Sequence, residues 1–216
     1  AIGNVTLHTD ASGSVGVGYG ALSALTSGIG NVAVGFEALK TEDVGPGNTA
    51  LGYQALETCN NDNGYNVAIG HNSMQACADA YFSICIGKDT GANISGARGT
   101  SIIIGHEAGI GAIATDGQIL IGRSAGAAIT SGAKNLAMGY SALKENTIGH
   151  SNIAIGFNAM FETSTLQNDN NIAIGSANSD GSVLSAMGGD WTGAASSNNI
   201  AIGTGSMTGA MNDSSN

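Results

Sequence analysis

Charge is scarce in this sequence. Charged residues make up 10% of its 216 positions, and only six of them are Lys or Arg, which leaves a formal net charge of −10. A polyanion with so few cations is a poor partner for nucleic-acid phosphates or anionic lipid. Apolar runs are also short, and none approaches the roughly 20 residues that a membrane-spanning helix requires. We therefore expect no nucleic-acid binding and no membrane insertion in this segment.

Proline is nearly absent, since Pro46 is the only one, and this excludes collagen and proline-rich linkers. The chain has instead 35 glycines and a 42% share of hydrophobic residues. Low charge combined with frequent Ile and Val argues against simple disorder. The sequence therefore predicts an ordered chain with a thin core of small side chains. The chain opens at Ala1 without a leader, so we expect it to be processed or to be part of a longer protein.

One five-residue phrase recurs along the chain: Asn, apolar, Ala, apolar, Gly. Clear copies occupy residues 31–35, 48–52, 66–70, 135–139, 152–156, 171–175 and 199–203, and looser copies close at Gly18, Gly87, Gly105 and Gly122. Successive closing glycines, from Gly18 to Gly203, are 17, 17, 18, 17, 18, 17, 17, 17, 19 and 28 residues apart. So constant a period over eleven copies indicates a repeat architecture in which each unit is one structural coil.

Each repeat holds two short apolar segments separated by turn-forming residues. The second segment follows the closing glycine, as in residues 36–39 and 140–143. Segments of this length are typical of strands and are too short for helices. We therefore predict an all-β fold, a parallel β-solenoid or β-roll of about eleven coils, each with two short strands and two turns. A single domain spans 1–216, with an insertion loop at 176–198.

Coils stacked about 4.8 Å apart turn every repeat position into a column of like residues. The Asn column is expected to form a hydrogen-bonded ladder, and the closing glycines to adopt a backbone angle that other residues resist. In one strand, Ile153 and Ile155 face one way and Ala154 the other, so both faces are apolar. The chain's own second strand covers only one face, and we expect another copy to cover the other. The alternative is a monomeric solenoid whose Ala stripe faces water.

These repeats carry a resemblance. The Ala-Ile-Gly phrase with a following Ala resembles the head repeats of YadA-like trimeric autotransporter adhesins, and the longer form at residues 47–56 resembles repeats of phage tail fibres. Both families form homotrimers of parallel β-roll coils. The resemblance implies a rigid trimeric spacer in a viral tail fibre, located on the virion, that presents loops or a tip to a host glycan or protein. The alternatives are an adhesin head on a bacterial cell surface, or a subunit of an extracellular filament stacked head to tail.

Four basic residues form a candidate contact stripe. The residue after the closing glycine is aromatic in the early and late coils but is basic in the middle ones, at His71, Lys88, His106 and Arg123. Such a stripe on an acidic rod is suited to an anion or an acidic glycan. The alternative is that these side chains lie over the coil edge with their charges in water. In the last three of these coils, Gly91, Gly109 and Gly126 replace a later Leu or Met, so we expect the central coils to be packed differently.

The insertion loop is a second candidate contact region. Extra residues in a solenoid emerge as loops on one face, which is often the binding face. This loop carries Asp190 and the only tryptophan, Trp191, whose ring is suited to stacking on a sugar. The alternative is that Trp191 anchors its own loop.

The three cysteines divide into a pair and a single residue. Cys59 and Cys77 occupy the same repeat position in successive coils, and a separation of about 4.8 Å lies within the Cα range of a disulfide. We predict a Cys59–Cys77 bond in an oxidising compartment, and two adjacent free thiols are the alternative. Cys85 replaces a strand Ala and is expected to be buried.

Catalytic signatures are lacking. The histidines have no metal-ligand spacing, the carboxylates form no calcium loop, and no serine lies in a nucleophile motif. We therefore expect no enzyme activity, metal or cofactor. A glycan lyase or hydrolase on a solenoid needs clustered carboxylates beside an aromatic groove, and an ice-binding solenoid needs a flat Thr array. Neither pattern is present.

Overall fold

Eleven short strands follow one another at the repeat spacing. The computed structural model describes residues 11–60, 62–78, 80–94, 100–161, 168–177, 186–187 and 197–207, and no helix occurs within these ranges. The strands are β1 Val15–Val17, β2 Val32–Val34, β3 Thr49–Leu51, β4 Val67–Ile69, β5 Ile84–Ile86, β6 Ile102–Ile104, β7 Ile119–Ile121, β8 Leu136–Met138, β9 Ile153–Ile155, β10 Ile172–Ile174 and β11 Ile200–Ile202. Each one is the centre of a repeat phrase, and we number the coils one to eleven after their strands.

The strands form one parallel sheet in chain order. Each strand pairs in register with the next, so that Ala33 lies beside Ala50 and Ala154 beside Ala173. Even the longest step in sequence, from β10 to β11, keeps this register, since Ala173 lies beside Ala201. Consecutive strands that return one level higher at each coil define a solenoid. The fold is therefore an all-β parallel β-solenoid with a period of about 17 residues, as predicted.

The middle residue of each strand points into the coil, and the two outer residues point away from it. Ala154 is fully buried, whereas Ile153 and Ile155 on either side are partly exposed. The alternative in which the Ala stripe faces water is therefore wrong. Small side chains lie inside because the two layers of a short coil approach each other closely and leave little volume between them.

The second apolar segment of each coil is not a strand, contrary to the prediction. In coil two, Glu37 and Leu39 adopt left-handed φ angles of 53° and 52°. The N–H of Glu37 donates to the carbonyl of Tyr19 in the preceding coil at 2.8 Å, and the N–H of Leu39 donates to that of Ala55 in the following coil at 2.9 Å. Because alternate residues have positive φ, successive N–H groups reach opposite neighbours. The segment thus joins three coils without an extended backbone.

The Asn column forms a buried ladder before the strands. Asn31 Oδ1 accepts the backbone N–H of Asn48 at 2.8 Å, and Asn135 Oδ1 accepts that of Asn152 at 2.9 Å. Side-chain contact is the weaker link, with Asn152 Nδ2 at 3.3 Å from Asn135 Oδ1. The Nδ2 group of Asn135 also donates to the carbonyl of Gly149 at 2.9 Å. The ladder therefore runs mainly from side-chain oxygen to backbone, rather than from side chain to side chain alone.

The closing glycines lie at the bend after each strand, and their φ angles range from 114° to 154°. A Cβ added at Gly139 would collide with the carbonyl oxygen of Gly156 in the next coil. Both the backbone angle and the close approach of coils therefore require glycine at this column, as predicted.

In three central coils the larger core side chain comes from the strand instead of from the second segment. Gly109 stands where most coils have Leu or Met, and the middle residue of the strand in the same coil is Ile103 instead of Ala. A Cβ at Gly109 would lie 2.9 Å from Ile113 Cδ1 and 3.2 Å from Ile103 Cδ1. The larger strand residue thus fills the volume that the missing Leu or Met side chain leaves in the second segment. The same exchange occurs in coils five and seven, between Gly91 and Cys85 and between Gly126 and Leu120.

Candidate functional site

The outward side of the sheet, here called the strand face, is a continuous apolar surface. It consists of the first and third residues of β1 to β11, all of which are Val, Ile, Leu or Met except Thr49. None of these residues is ionisable. Exposure is 37% for Ile102 and 42% for Met138 in the middle of the sheet, and it reaches 67% for Ile202 in the last strand. The strand spacing and rise give a patch of roughly 50 Å by 10 Å.

An aromatic column borders this face immediately after the closing glycines. Four rings stack in succession through coils one to four, with centroids 5.5, 5.1 and 4.9 Å apart, in the order Tyr19, Phe36, Tyr53 and His71. A further pair in coils eight and nine, Tyr140 and Phe157, stacks at 5.2 Å. Because the rings cover one another's faces, it is mainly their edges that project into solvent.

The four basic residues predicted to form a stripe share this column, and two of them pack on its rings. His71 continues the aromatic stack on Tyr53. The guanidinium of Arg123 lies 5.7 Å from the centroid of the Tyr140 ring, in cation–π geometry. Both side chains therefore extend the aromatic column into the central coils.

The other two basic residues face acidic neighbours in their own coils. Lys88 forms an ion pair with Asp89, and His106 Nδ1 lies 3.7 Å from the carboxylate of Glu107. Burial acts to raise the pKa of Asp89, but hydrogen bonds from Lys88 and Asn72 outweigh it and hold that pKa below its ordinary value. These carboxylates offset part of the positive charge of the stripe, which weakens its attraction for an anion. Whether an anion or glycan binds there stays a prediction.

The three cysteines lie at the positions expected for them. Cys59 and Cys77 are buried and joined as a disulfide, with their Cα atoms 4.7 Å apart. Cys85 is a free, fully buried thiol whose pKa is raised by burial. The redox state of the Cys59–Cys77 pair in solution stays a prediction.

The insertion between Gly175 and Asn199 is divided by a buried pair, Ala186 and Met187. The N–H of Met160 donates to the carbonyl of Ala186 at 3.3 Å, and the N–H of Met187 donates to that of Ser206 at 3.0 Å. Ala186 and Met187 therefore fill the second segment of coil ten, with extra residues before and after them, instead of belonging to one loop over 176–198. Asp190 and Trp191, the predicted contact residues, lie outside the described residues.

A buried carboxyl group, Glu42, was not foreseen from the sequence. Its Oε1 accepts the N–H of Gly45 at 2.6 Å and that of Val44 at 3.3 Å. In coil eight Asn146 occupies the same column and accepts the N–H of Gly149 at 3.1 Å. The sequence signal that indicates this turn is a polar residue at the same repeat position in both coils, three residues before a glycine. Both side chains hold turns together, and their role is structural.

No cluster suited to catalysis or metal binding stands out in the part of the chain that the structure describes. Groups of three or more His, Cys, Asp or Glu arranged to hold a metal do not occur there. One open apolar depression has no free ionisable group in its lining, which is Thr58, Ala76, Cys77, Ala78, Asn93 and Ala112. Within the same described ranges, no helix has the length and hydropathy needed to cross a bilayer.

Comparison with protein-family models, curated proteins and solved structures finds no match to the chain. The resemblance to tail-fibre and adhesin repeats therefore depends on the repeat residues themselves. The strand face and the aromatic column beside it are the surface features that support a functional proposal.

Proposed function

We propose that this chain is a structural segment of an extracellular fibre of the viral tail-fibre kind, assembled as a homotrimer with three strand faces turned toward a common axis. The trimer acts as a rigid spacer that presents loops or a tip to a host receptor. The observation that carries this proposal is the strand face, an uncharged aliphatic surface that continues through all eleven coils.

The size of the strand face argues that it is covered in the working protein. Its area of roughly 500 Å² lies at the upper end of the apolar patches that monomeric proteins expose. The aromatic column beside it widens the surface with exposed rings, such as Tyr19 and Tyr140. Leaving such a surface in water forgoes the stabilisation that its burial gives, at about 25 cal/mol per Å² of apolar area. A second copy of the chain offers an identical patch of the same length.

The arrangement of copies follows from the repeat. An axis parallel to the rod lets each coil meet its own counterpart, so that the whole length of the strand face is buried. The number three comes from the resemblance to tail-fibre and adhesin repeats. A central axis lined by aliphatic side chains then forms a dry core shared by the three chains.

Rigidity suits the spacer role. Every coil is joined to the next by the parallel sheet, and the Asn ladder and the second segments add further hydrogen bonds between most neighbouring coils. Eleven coils at about 4.8 Å each give a rod of roughly 50 Å. A polar outer surface and an apolar axis are the properties expected of a fibre shaft, and they require no catalytic group.

Native mass spectrometry and sedimentation equilibrium test the assembly. We expect a species of three times the 21.2 kDa of one chain. Ile119→Lys places a charge in the middle of the strand face and is expected to dissociate it, because a buried unpaired charge is costly. Ser131→Lys adds the same charge on another exposed side of the same coil and should leave the trimer intact.

Circular dichroism shows whether each variant keeps its coils. A folded Ile119→Lys chain is expected because Ile119 is 37% exposed within a single chain. A wild-type protein that is monomeric at micromolar concentration would refute the proposal. A folded Ile119→Lys variant that remains trimeric would refute the assignment of the strand face to the interface.

A further inference from the structure

Two columns border the strand face, one on each side. The post-strand edge is formed by the residue after each closing glycine: Tyr19, Phe36, Tyr53, His71, Lys88, His106, Arg123, Tyr140, Phe157, Ser176 and Thr204. The pre-strand edge is formed by the residue before each Asn-column position: Gly13, Gly30, Gly47, Tyr65, Phe82, Thr100, Gly117, Lys134, Ser151, Asn170 and Asn198. Within one chain the two edges of a coil are six residues apart, or about 20 Å for an extended backbone.

We propose that the post-strand edge of each copy packs against the pre-strand edge of the next copy, coil against the same coil. This proposal rests on the self-association proposed above and names the residues that set its register. A closed ring of copies around an axis along the rod requires these two different edges to meet at one level. An antiparallel pair would instead bring like edges together.

The bulk of side chains on the two edges is complementary. In coils two and three, Phe36 and Tyr53 stand on one edge, and Gly30 and Gly47 stand on the other. The ring edge of Phe36 therefore meets open backbone at Gly30, where no side chain blocks it, whereas Tyr53 meets Gly47 with the Tyr65 ring of that chain lying against it. In coil five the relation is reversed, since the pre-strand edge carries the exposed ring of Phe82 and the post-strand edge has no ring.

The charges on the two edges are complementary as well. In coil five Lys88 meets the Phe82 ring of the next copy and can form a cation–π contact with it, and in coil eight Lys134 meets the edge of the Tyr140 ring, whose faces are covered by Phe157 and Arg123. In coil seven Arg123 meets Gly117, whose neighbour in the chain is Asp116. No described coil from one to nine has cations on both edges.

A slip of one coil removes this fit. If each coil of one copy met the following coil of the next, Phe36 would face Gly47, where the Tyr65 ring lies, instead of the open Gly30, and Arg123 would face Lys134. Two exposed rings would then compete for one space, and two cations would be opposed. The edges therefore favour the level arrangement over this staggered one.

The geometry of the rings favours a protein partner over a sugar. A sugar stacks on the face of an aromatic ring, and here the faces are covered by neighbours at about 5 Å in the stacks of coils one to four and eight to nine. The exposed ring edges are suited instead to packing against the backbone of another chain.

Cysteine cross-linking tests the proposed register. The variant carrying Tyr140→Cys and Lys134→Cys has its two new thiols on opposite edges of coil eight, too far apart to pair within one chain. Across the proposed interface they meet, so mild oxidation should give covalent dimers and trimers on a denaturing gel. The control combines Tyr140→Cys with Asn170→Cys, which lies on the pre-strand edge two coils away. We expect at least about ten-fold more cross-linked product from the level pair.

The outcomes distinguish a failure of the proposed edge packing from a failure of the proposed trimer. A trimer by native mass with equal or absent cross-linking of the two pairs overturns the edge assignment and leaves the trimer standing. A monomer overturns both. Circular dichroism verifies that each variant is folded, and a second level pair, Phe157→Cys with Ser151→Cys, must cross-link as the first one does.

Discussion

Removal of one rung from the Asn ladder is a direct test of what holds the coils together. Asn135 is buried, and its Oδ1 accepts the backbone N–H of Asn152 at 2.9 Å. Its Nδ2 donates to the carbonyl of Gly149 at 2.9 Å. The substitution Asn135→Ala removes both of these hydrogen bonds and the weaker one from Asn152 Nδ2 at 3.3 Å, whose donor keeps the carbonyl of Asn168 as a partner. The strand positions of coils eight and nine are unchanged in sequence.

The loss of each of these two main bonds lowers the free energy of unfolding by a different amount. Without Asn135 Oδ1, the N–H of Asn152 is buried with no acceptor, a penalty of about 1 to 3 kcal/mol. The carbonyl of Gly149 keeps a second donor, Asn146 Nδ2 at 3.1 Å, so that only a net hydrogen bond of about 0.5 to 1.5 kcal/mol is lost there. We therefore expect Asn135→Ala to lower the free energy of unfolding by about 2 to 4 kcal/mol.

Urea unfolding followed by circular dichroism measures this loss, at one protein concentration because self-association shifts the midpoint. Asn135→Ser should cost less, about 1 to 2 kcal/mol, because a hydroxyl keeps an acceptor, as at Ser101, whose Oγ accepts the N–H of Gln118 at 3.4 Å. Asn93→Ala is the matched control, since this exposed Asn donates one hydrogen bond, to Ile110. Equal losses for Asn135→Ala and Asn93→Ala would refute a stabilising role for the ladder.

Three further predictions concern the backbone and the thiols. Gly139→Ala forces a Cβ against the next coil at a φ of 143° and should cost more than about 2 kcal/mol in urea unfolding, so an unchanged midpoint would contradict the steric argument. Lys134→Gly relieves a left-handed φ of 59° and should be neutral or stabilise by up to about 1 kcal/mol, whereas Ala128→Gly in the preceding coil should destabilise by about 0.5 to 1 kcal/mol; the opposite ranking would contradict the strain argument. Thiol titration should count no reactive cysteine in the native chain, Cys85 alone after urea unfolding, and all three after reduction; three thiols before reduction would contradict the disulfide.

The coil period and the role of each column were predictable because stacking repeats one chemical requirement at every level. A glycine such as Gly139 must recur where coils approach, and an amide such as Asn135 must recur where a backbone N–H needs an acceptor. The positions of all eleven strands followed from these two columns. The neighbouring positions of Cys59 and Cys77 followed from the same spacing.

The second segment could not be predicted because local propensity points to another structure. Leu39 and Glu37 are not residues that favour positive φ, yet both adopt it. Hydrogen bonds to the coils above and below, made by both N–H groups, hold them there. A requirement that arises only after stacking thus overrides the preference of the isolated segment, and nothing within five residues of sequence signals it.

The sequence pattern alone also could not predict which face of each strand is buried. Alternation separates Ala154 from Ile153 and Ile155, but it does not say which side faces inward. The ordinary rule that larger apolar residues are buried would place the isoleucines inside a single chain. The narrow gap between layers reverses this choice within the chain.

The contrast between the inner and outer columns supports an interface on the strand face. Inside the coil, the middle strand residue changes from Ala to Ile103 and Leu120, and the sheet register is unaffected because these two residues lie beside each other as the alanines do. The fold therefore tolerates variation at an inner position as long as the opposite layer compensates. On the outer side no described part of the chain forms an opposite layer, yet the residues remain aliphatic through eleven coils except at Thr49. Folding of one chain does not require that uniformity, whereas packing against a second chain does.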